Sequence, residues 1–165
     1  MVSAWETAGT VRDPELPMLT IADLGILRAV REDGDTVTVT ITPTYSGCPA
    51  MREIAADLRQ RLEQAGYRHV DIATELSPPW TSDWITAEGR RKLQAAGIAP
   101  PAASDSRVTS GPVPLTLTRA PVTSVSCPRC GSAEVRETAR FSGTACKALY
   151  ACRACLEPFE HVKEF

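Results

Sequence analysis

The sequence predicts an α/β domain followed by a small β zinc ribbon. Two stretches of alternating apolar residues, with a stretch of helical spacing between them, predict the α/β domain. Two Cys-x-x-Cys pairs near the end of the chain predict the ribbon. With 165 residues, of which 43% are hydrophobic and 23% charged, the chain can bury one substantial core and one small satellite module.

A β-hairpin is predicted in residues 26–45. Its turn sequence EDGD supplies glycine and aspartate, which tolerate the positive φ of a tight turn. After the turn, Val37, Val39 and Ile41 alternate with threonines, so one face of the second strand is expected to be buried.

A helix is predicted over residues 51–65, where apolar residues recur at helical spacing. Pro49 suits the first turn of this helix, and Gly66 suits its end. Alternation resumes in residues 69–76, which predicts a third strand. Because a crossover helix separates this strand from the second one, the two strands are expected to be parallel.

Helical or turn structure is expected on both sides of these elements. The sequence PMLTIADLG before the first strand predicts a short helix or turn. The sequence TAEGRRKLQAAG predicts a last helix, capped by Thr86 at its start and Gly97 at its end.

The chain is predicted to divide into an α/β domain at residues 1–97, a linker at 98–118 and a ribbon at 119–165. The linker is predicted because residues 98–118 are rich in Pro, Ser, Ala and Gly and show little periodicity. We therefore expect the two parts to have separate cores.

The paired cysteines of the ribbon are predicted to bind a structural zinc ion. Cys127, Cys130, Cys152 and Cys155 form two knuckles at the ends of predicted hairpins, which can bring four thiolates to tetrahedral distance. Gly131 eases the backbone turn of the first knuckle. An iron site of the same four-thiolate geometry is the alternative.

The ribbon carries a fifth thiol, Cys146, and little net charge. Cys146 is expected either to pack as a small hydrophobic residue on a strand or to act as a transient ligand. From residue 119 to residue 165 there are seven Lys and Arg against five Asp and Glu, and four thiolates around a zinc ion bring the balance to about zero. We therefore expect docking to a protein and not to nucleic acid.

A single cysteine, Cys48, lies in the turn between the second strand and the first predicted helix. A thiol at a helix start lies near the positive end of the helix dipole and near unpaired amides, which favour thiolate. Gly47 lets the backbone come close to a ligand. The alternative is a buried cysteine that only packs the corner between strand and helix.

The sequence DPELP places two carboxylates, Asp13 and Glu15, within one turn around Pro14. This arrangement is compatible with hard-metal ligation or with a docking surface. Aspartate before proline is also ordinary turn chemistry, so a structural role is the alternative.

Trp80 and Trp84 lie four residues apart, so a helical turn would place both on one side. Exposed, they would mark a surface for a partner protein. Packed, they would fix the last helix on the sheet.

Two segments carry a family resemblance. DPELPMLTIADLG, followed by TPTYSGCPAM, resembles the signature segments of the SufT-like family of iron-sulfur assembly domains, whose small α/β members act in cluster maturation. Together with SPPWTSDWITAEGRRKLQAAGIAPP, the linker and the terminal cysteine pairs, the whole chain resembles the PaaD family, accessory proteins of the multicomponent phenylacetyl-CoA epoxidase. The resemblance implies that Cys48 is the motif cysteine that holds or passes on metal, and that Asp13 and Glu15 form the acidic motif.

The resemblance implies a non-enzymatic maturation factor with a structural zinc ion and a transient iron ion or iron-sulfur cluster. The implied partners are the epoxidase components, namely the reductase with its [2Fe-2S] cluster and the oxygenase with its di-iron site. One Cys48 per chain cannot hold a cluster alone, since clusters usually need four protein ligands. A homodimer, a client thiolate or an exogenous thiol would complete the site.

Two other functions are compatible with the same residues. The first is a structural adaptor of the oxygenase complex in which Cys48 is inert. The second is a thiol redox enzyme that uses Cys48 as its nucleophile. The argument against this function is that no resolving cysteine lies near Cys48 in the sequence.

Several classes of protein are not supported by the sequence. It contains no Ser-His-Asp order, phosphate loop or dinucleotide fingerprint. The start of the chain lacks a basic leader with an apolar segment, and no apolar run approaches membrane-spanning length, so a cytoplasmic protein without a membrane anchor is expected. The formal net charge of −2 gives no general attraction to nucleic acid.

Overall fold

The computed structural model describes residues 3–102 and 125–164. The described elements, in chain order, are α1 Ala4–Gly9, β1 Leu27–Asp33, β2 Thr36–Ile41, α2 Ala50–Gln64, β3 His69–Thr74, a 3-10 turn Ser82–Trp84, α3 Ala87–Ala95, β4 Ile98–Ala99, β5 Val135–Ala139, β6 Lys147–Cys152 and β7 Pro158–Val162.

The first sheet has the order β1-β2-β3 and confirms the predicted topology. β1 and β2 form the antiparallel hairpin, and β3 runs parallel to β2 after the crossover through α2. The alternation in β2 buries Val37, Val39 and Ile41, as predicted. Ile54 and Leu58 of α2 are buried in the same core, so the helix covers one face of the sheet.

Helix α1 is not among the elements predicted from the sequence, although Ser3 and Glu6 have the spacing that marks the start of a helix. The Ser3 hydroxyl accepts a hydrogen bond from the amide of Glu6, and the Glu6 carboxylate accepts one from the amide of Ser3. This reciprocal arrangement is a capping box. Ala4 and Ala8 then bury the inner side of the helix against the core.

Helix α3 confirms the predicted caps. The Thr86 hydroxyl accepts a hydrogen bond from the amide of Gly89 at 3.0 Å. Gly97 follows the helix with φ of +77°, a conformation that glycine adopts without steric cost. Lys92 of this helix forms an ion pair with the buried Asp23 at 2.7 Å. The helix is therefore tied to the loop before β1 by charge as well as by packing.

The second sheet has the order β4-β7-β6-β5 and extends beyond the predicted hairpin of the ribbon. β7 pairs antiparallel with β6, and the short β4 pairs parallel with β7 through Ile98 and Ala99. Residues 98 and 99 therefore belong to the ribbon sheet and not to the start of a linker. Their two-residue strand is fixed by pairing with distant β7, which local composition does not reveal.

The ribbon also packs against the α/β domain. Val162, at the end of β7, is 4% exposed and belongs to the same buried cluster as the residues of α2 and β2. The expectation that the two parts have fully separate cores is therefore wrong at this contact. Residues 103–118 of the predicted linker lie outside the described residues.

His161 on β7 is buried, and its contacts are those of a residue that stabilises the fold. Its Nδ1 lies 3.2 Å from the carbonyl oxygen of Ala99, and its ring makes an edge contact with Tyr150. Burial lowers the pKa of the imidazole, so the neutral ring is favoured at this position.

Across both described ranges, no helix combines the length and the apolar character that are needed to cross a bilayer.

Candidate functional site

The four predicted zinc ligands converge in the ribbon. The sulfurs of Cys127 and Cys155 lie 3.7 Å apart, and those of Cys130 and Cys152 lie 3.6 Å apart. All four sulfurs are within 4.8 Å of one another. A tetrahedral zinc ion with Zn–S bonds of about 2.3 Å requires sulfurs about 3.8 Å apart. The donor set and its spacing therefore fit a structural zinc ion.

Two similar turns build the zinc site. In the first, the amide of Cys127 donates to the carbonyl of Ser132, and Gly131 adopts φ of +75°. In the second, the amide of Cys152 donates to the carbonyl of Glu157, and Leu156 adopts φ of +64°. Each knuckle thus needs a left-handed residue directly after its second cysteine, which Gly131 provides more easily than Leu156 does.

Backbone amides stabilise negative charge on the ribbon sulfurs. The amide of Cys155 donates to the Cys152 sulfur at 3.4 Å, and the amide of Ala154 adds a second donor. Together these donors lower the pKa of Cys152 to about 7. Hydrogen bonds with the other sulfurs raise the pKa of Cys130, and they raise the pKa of Cys155 to about 12. Without a metal, Cys152 is therefore the ribbon sulfur at which thiolate, the form that binds zinc, is favoured.

Cys48 lies just before α2, at the corner between strand and helix. Its amide donates to the carbonyl of Tyr45 at 3.1 Å, and its carbonyl accepts from the amide of Met51 at 3.4 Å. The side chain is half-buried and packs against the main core. Pro49 occupies the N-cap of the helix, so the cysteine precedes the cap by one residue.

The expectation that Cys48 favours thiolate is wrong in this structure. Burial raises the pKa of its thiol above the usual range. Hydrogen bonds from the amide of Ala50 and the hydroxyl of Thr44 lower the pKa, but they do not offset the burial. The nearby carboxyl of Asp13 and thiol of Cys146 raise it further.

Asp13 is buried and forms the turn that the sequence DPELP indicates. Its Oδ1 accepts hydrogen bonds from the amides of Glu15 and Leu16, both at 2.8 Å. Burial nevertheless raises the pKa of this carboxyl, and the neighbouring charge of Glu15 adds to that effect. The structural role is therefore confirmed for Oδ1 of Asp13, and the side chain also lines the cavity that contains Cys48.

The structure brings Cys48, Asp13 and Glu15 together at one cavity of about 30 Å³. The ribbon contributes Cys146 and Val162 to the same cavity. Sequence reasoning singles out the first three residues but does not place Cys146 with them. No local signal connects positions 48 and 146, because their approach depends on how the ribbon packs on the α/β domain.

Trp80 and Trp84 do not form an exposed aromatic surface. Trp80 is 5% exposed, and its Nε1 donates to the carbonyl of Leu24 at 2.9 Å. The ring of Trp84 is half-buried and lies 3.5 Å beneath the guanidinium of Arg28. The alternative, a packing role, therefore holds for both, and Trp80 forms an apolar wall of the Cys48 cavity.

Two family models match different parts of the chain. Residues 5–72 match the family described as "Iron-sulfur cluster assembly protein". Residues 111–163 match the family described as "PaaD zinc beta ribbon domain". The first match contains Cys48 and Asp13, and the second contains Cys146 and the four zinc ligands.

Individual relatives agree with both matches. The chain is 38% identical over 159 residues to an Escherichia coli protein named as a putative subunit of 1,2-phenylacetyl-CoA epoxidase, covering 96% of this chain and 90% of that protein. It is 37% identical over 86 residues to the Porphyromonas gingivalis protein "Fe-S protein maturation auxiliary factor", covering 51% of this chain and 81% of that protein.

A solved structure resembles the α/β domain. The "Domain of Unknown Function DUF59 from Bacillus anthracis" superposes with a TM-score of 0.51 at 25% identity, covering 55% of this chain and 87% of that one. Because the epoxidase relative spans nearly the whole chain and the two family matches lie on the two parts of the fold, this chain belongs to the PaaD family, in which an iron-sulfur cluster assembly domain is joined to a zinc ribbon.

Proposed function

We propose that this protein is a non-enzymatic accessory factor that helps to build a metal centre of the phenylacetyl-CoA epoxidase system. The [2Fe-2S] cluster of the reductase component is the favoured client, and the di-iron site of the oxygenase is the other centre that it would serve. The observation that carries the proposal is the Cys48 cavity, in which a soft sulfur and the carboxyl of Asp13 meet within a domain of the iron-sulfur assembly family. The names of two relatives support it.

The environment of Cys48 suits temporary binding of iron as cargo. A thiol whose pKa is raised by burial keeps its proton until a cation displaces it, and it recovers the proton when the cation leaves. One thiol and one carboxyl also fall short of the ligands that a cluster usually takes from protein. Because the Cys48 cavity offers only part of a ligand set, transfer of the iron to a client that offers a complete set is favourable.

The ribbon acts in this proposal as a docking module. Its zinc ion holds a fold that has only a small buried cluster of its own, centred on Phe159 and Val125. Its near-zero net charge favours recognition of a protein over recognition of nucleic acid. In this proposal the client components lie in the cytoplasm, where thiols stay reduced.

The structure bears on the redox alternative in two ways. Cys146 lies at the Cys48 cavity, so a second cysteine that is distant in sequence is close in three dimensions. The raised pKa of Cys48 acts in the opposite direction, because a protonated thiol is a poor nucleophile at neutral pH. The pure adaptor remains the simplest competing function.

Producing the reductase together with variants of this protein tests the proposal. With Cys48→Ser, the purified reductase is expected to contain much less iron and acid-labile sulfide than with the wild type. Ser46→Ala, which changes an exposed residue of the same loop, is the matched control and should support full loading.

A second control separates assembly from an adaptor role. Adding Cys48→Ser protein to a reductase that is already matured should leave its activity unchanged. Full iron loading and full client activity with Cys48→Ser would reject the maturation function and favour the adaptor.

A further inference from the structure

The zinc ribbon contributes a thiol that its own metal site does not use. Cys146 lies directly before β6, in the loop that joins β5 to β6. It does not belong to the four sulfurs that converge on the zinc position. Its side chain instead lines the cavity that contains Cys48 and Asp13.

Contacts within the ribbon fix the position of Cys146. Its carbonyl accepts a hydrogen bond from the amide of Lys163 at 2.9 Å, and its sulfur lies 3.1 Å from the hydroxyl of Thr144. Lys163 follows Val162, which is buried in the core of the α/β domain. The contact that docks the ribbon therefore also positions Cys146 at the cavity.

We propose that Cys48 and Cys146 together bind a single divalent iron ion between the two parts of the chain, with Asp13 supplying a carboxylate oxygen. The proposal rests on the proposed function and deepens it, because it names the second thiol of the site and the form of the cargo. It also places the completing thiol within the same chain, without the need for a homodimer or an exogenous thiol.

The shape of the cavity favours an ion over a cluster. The cavity has a volume of about 30 Å³, against roughly 10–15 Å³ that a cavity needs to hold one water molecule, so it suits a single ion better than a polynuclear core. The apolar side chains of Leu24, Trp80 and Val162 form the walls and limit access of water. Two sulfurs and one oxygen form a donor set that suits divalent first-row metals.

The charges around the cavity are mainly acidic. Asp13, Glu15 and the two thiols face it, and the nearby cation Lys147 is already paired with Glu160 at 2.8 Å. A divalent cation would form one bond to each sulfur, and each thiol would release its proton as the bond forms. The two released protons carry away the two positive charges that the ion brings. Among the described residues, only the four ribbon cysteines already have their ligand atoms within 4.8 Å of one another. Cys48, Cys146 and Asp13 do not form such a group of three, so binding at the cavity requires them to draw together around the ion.

Anaerobic titration of the zinc-loaded, full-length protein with Co²⁺ tests this site, with Co²⁺ as the spectroscopic probe and Fe²⁺ in a parallel titration. Beyond the zinc equivalent, the wild type is expected to bind one further ion with a sulfur-to-cobalt charge-transfer band. Cys146→Ser should lower the intensity of this band by about half and weaken binding of both ions by at least about tenfold. Ala145→Ser, at the exposed neighbouring position, should behave as the wild type.

Protection of the wild-type thiols provides a test that does not depend on the folding of a variant. Bound Co²⁺ should slow alkylation of both Cys48 and Cys146, as read by mass spectrometry. Protection of Cys48 alone, unchanged metal binding by Cys146→Ser, or a disulfide between the two thiols in place of metal binding would overturn the proposal. If Cys48→Ser fails to mature the reductase while Cys146→Ser succeeds, the proposed function stands and only the second ligand is rejected.

Discussion

The two groups of thiols in this protein differ in how closely the fold already brings their sulfurs together. In the ribbon, the Cys130 and Cys152 sulfurs lie 3.6 Å apart. Amides that point at Cys152 lower its pKa to about 7, whereas hydrogen bonds with the other sulfurs raise the pKa of Cys155 to about 12. In the cavity between the two parts, burial raises the pKa of Cys48, and the neighbouring acidic groups Asp13 and Cys146 add to the shift.

This difference shows how one residue type serves two purposes. Four sulfurs that already lie within 4.8 Å of one another need little movement to close around zinc, so the ribbon site suits permanent binding. At the cavity, burial raises the pKa of Cys48, so this thiol must lose its proton, and ligands from two parts of the chain must move together before they bind an ion. The first arrangement suits a structural ion, whereas the second suits an ion that must leave.

Replacing a zinc ligand should have the largest effect. Cys152→Ser removes one thiolate from a site whose apparent binding free energy is about 10–16 kcal/mol in small zinc domains, so we expect the ribbon to lose zinc and unfold. The α/β domain should remain folded but lose the packing of Val162. Elemental analysis and NMR spectra of the two parts check this outcome.

Cys146→Ser is the control for that experiment, because it removes a ribbon thiol outside the four-sulfur cluster. It should keep one zinc ion per chain and a folded ribbon. A folded ribbon in the zinc-free Cys152→Ser protein would show that the metal does not stabilise this part of the chain.

Weakening the contact between the two parts should have an intermediate effect. Val162→Ala removes buried methyl groups from the shared core and should lower the free energy of unfolding by about 1–3 kcal/mol. It should also speed alkylation of Cys48, because Val162 covers the same cavity. Val135→Ala, on β5 away from the cavity, is the matched control and should leave Cys48 alkylation unchanged. Equal alkylation rates in both variants would mean that the ribbon does not shield Cys48.

The smallest effect is expected from Asp13→Asn, and its sign depends on pH. Since burial raises the pKa of Asp13 from 3.8, the folded state holds this proton more tightly than the unfolded state does. This contribution to stability is fully present below the unfolded pKa and is lost as pH rises through the folded pKa. The asparagine keeps an oxygen that accepts from the amides of Glu15 and Leu16.

We therefore expect Asp13→Asn to match the wild type near pH 3 and to equal or exceed its stability at pH 7 by up to about 1 kcal/mol. Urea unfolding at the two pH values measures the difference. A variant that becomes progressively less stable than the wild type as pH rises would show that the carboxylate is stabilised by a cation in the fold, for which Lys147 would be the first candidate.

Sequence reasoning predicts the elements that have local signals. The hairpin, α2, β3 and the Thr86 cap follow from periodicity and turn chemistry, and the zinc ligands follow from their spacing. The features that it misses depend on contacts between distant parts of the chain. The pairing of Ile98 with β7 is one such contact, and the approach of Cys146 to the Cys48 cavity is another.

Cys48 illustrates the same limit in its chemistry. Its position near a helix start predicts a lowered pKa, because the dipole and the amides are visible in the sequence. The burial that raises the pKa is supplied by packing around the cavity, to which the ribbon contributes Val162 and Cys146. Burial therefore changes the pKa of Cys48 more than the hydrogen bonds near the helix start do, and burial is not visible in the sequence.

Chelator exchange tests the contrast between the two groups of thiols most directly. The zinc-loaded wild type would be given Fe²⁺ without oxygen, treated briefly with EDTA, and alkylated before and after that treatment, with each cysteine followed by mass spectrometry. We predict that Fe²⁺ protects Cys48 and Cys146, that EDTA restores their alkylation within the treatment, and that the four zinc ligands stay protected throughout. Alkylation of Cys48 that Fe²⁺ does not change, or release of both groups of thiols at the same rate, would contradict this contrast.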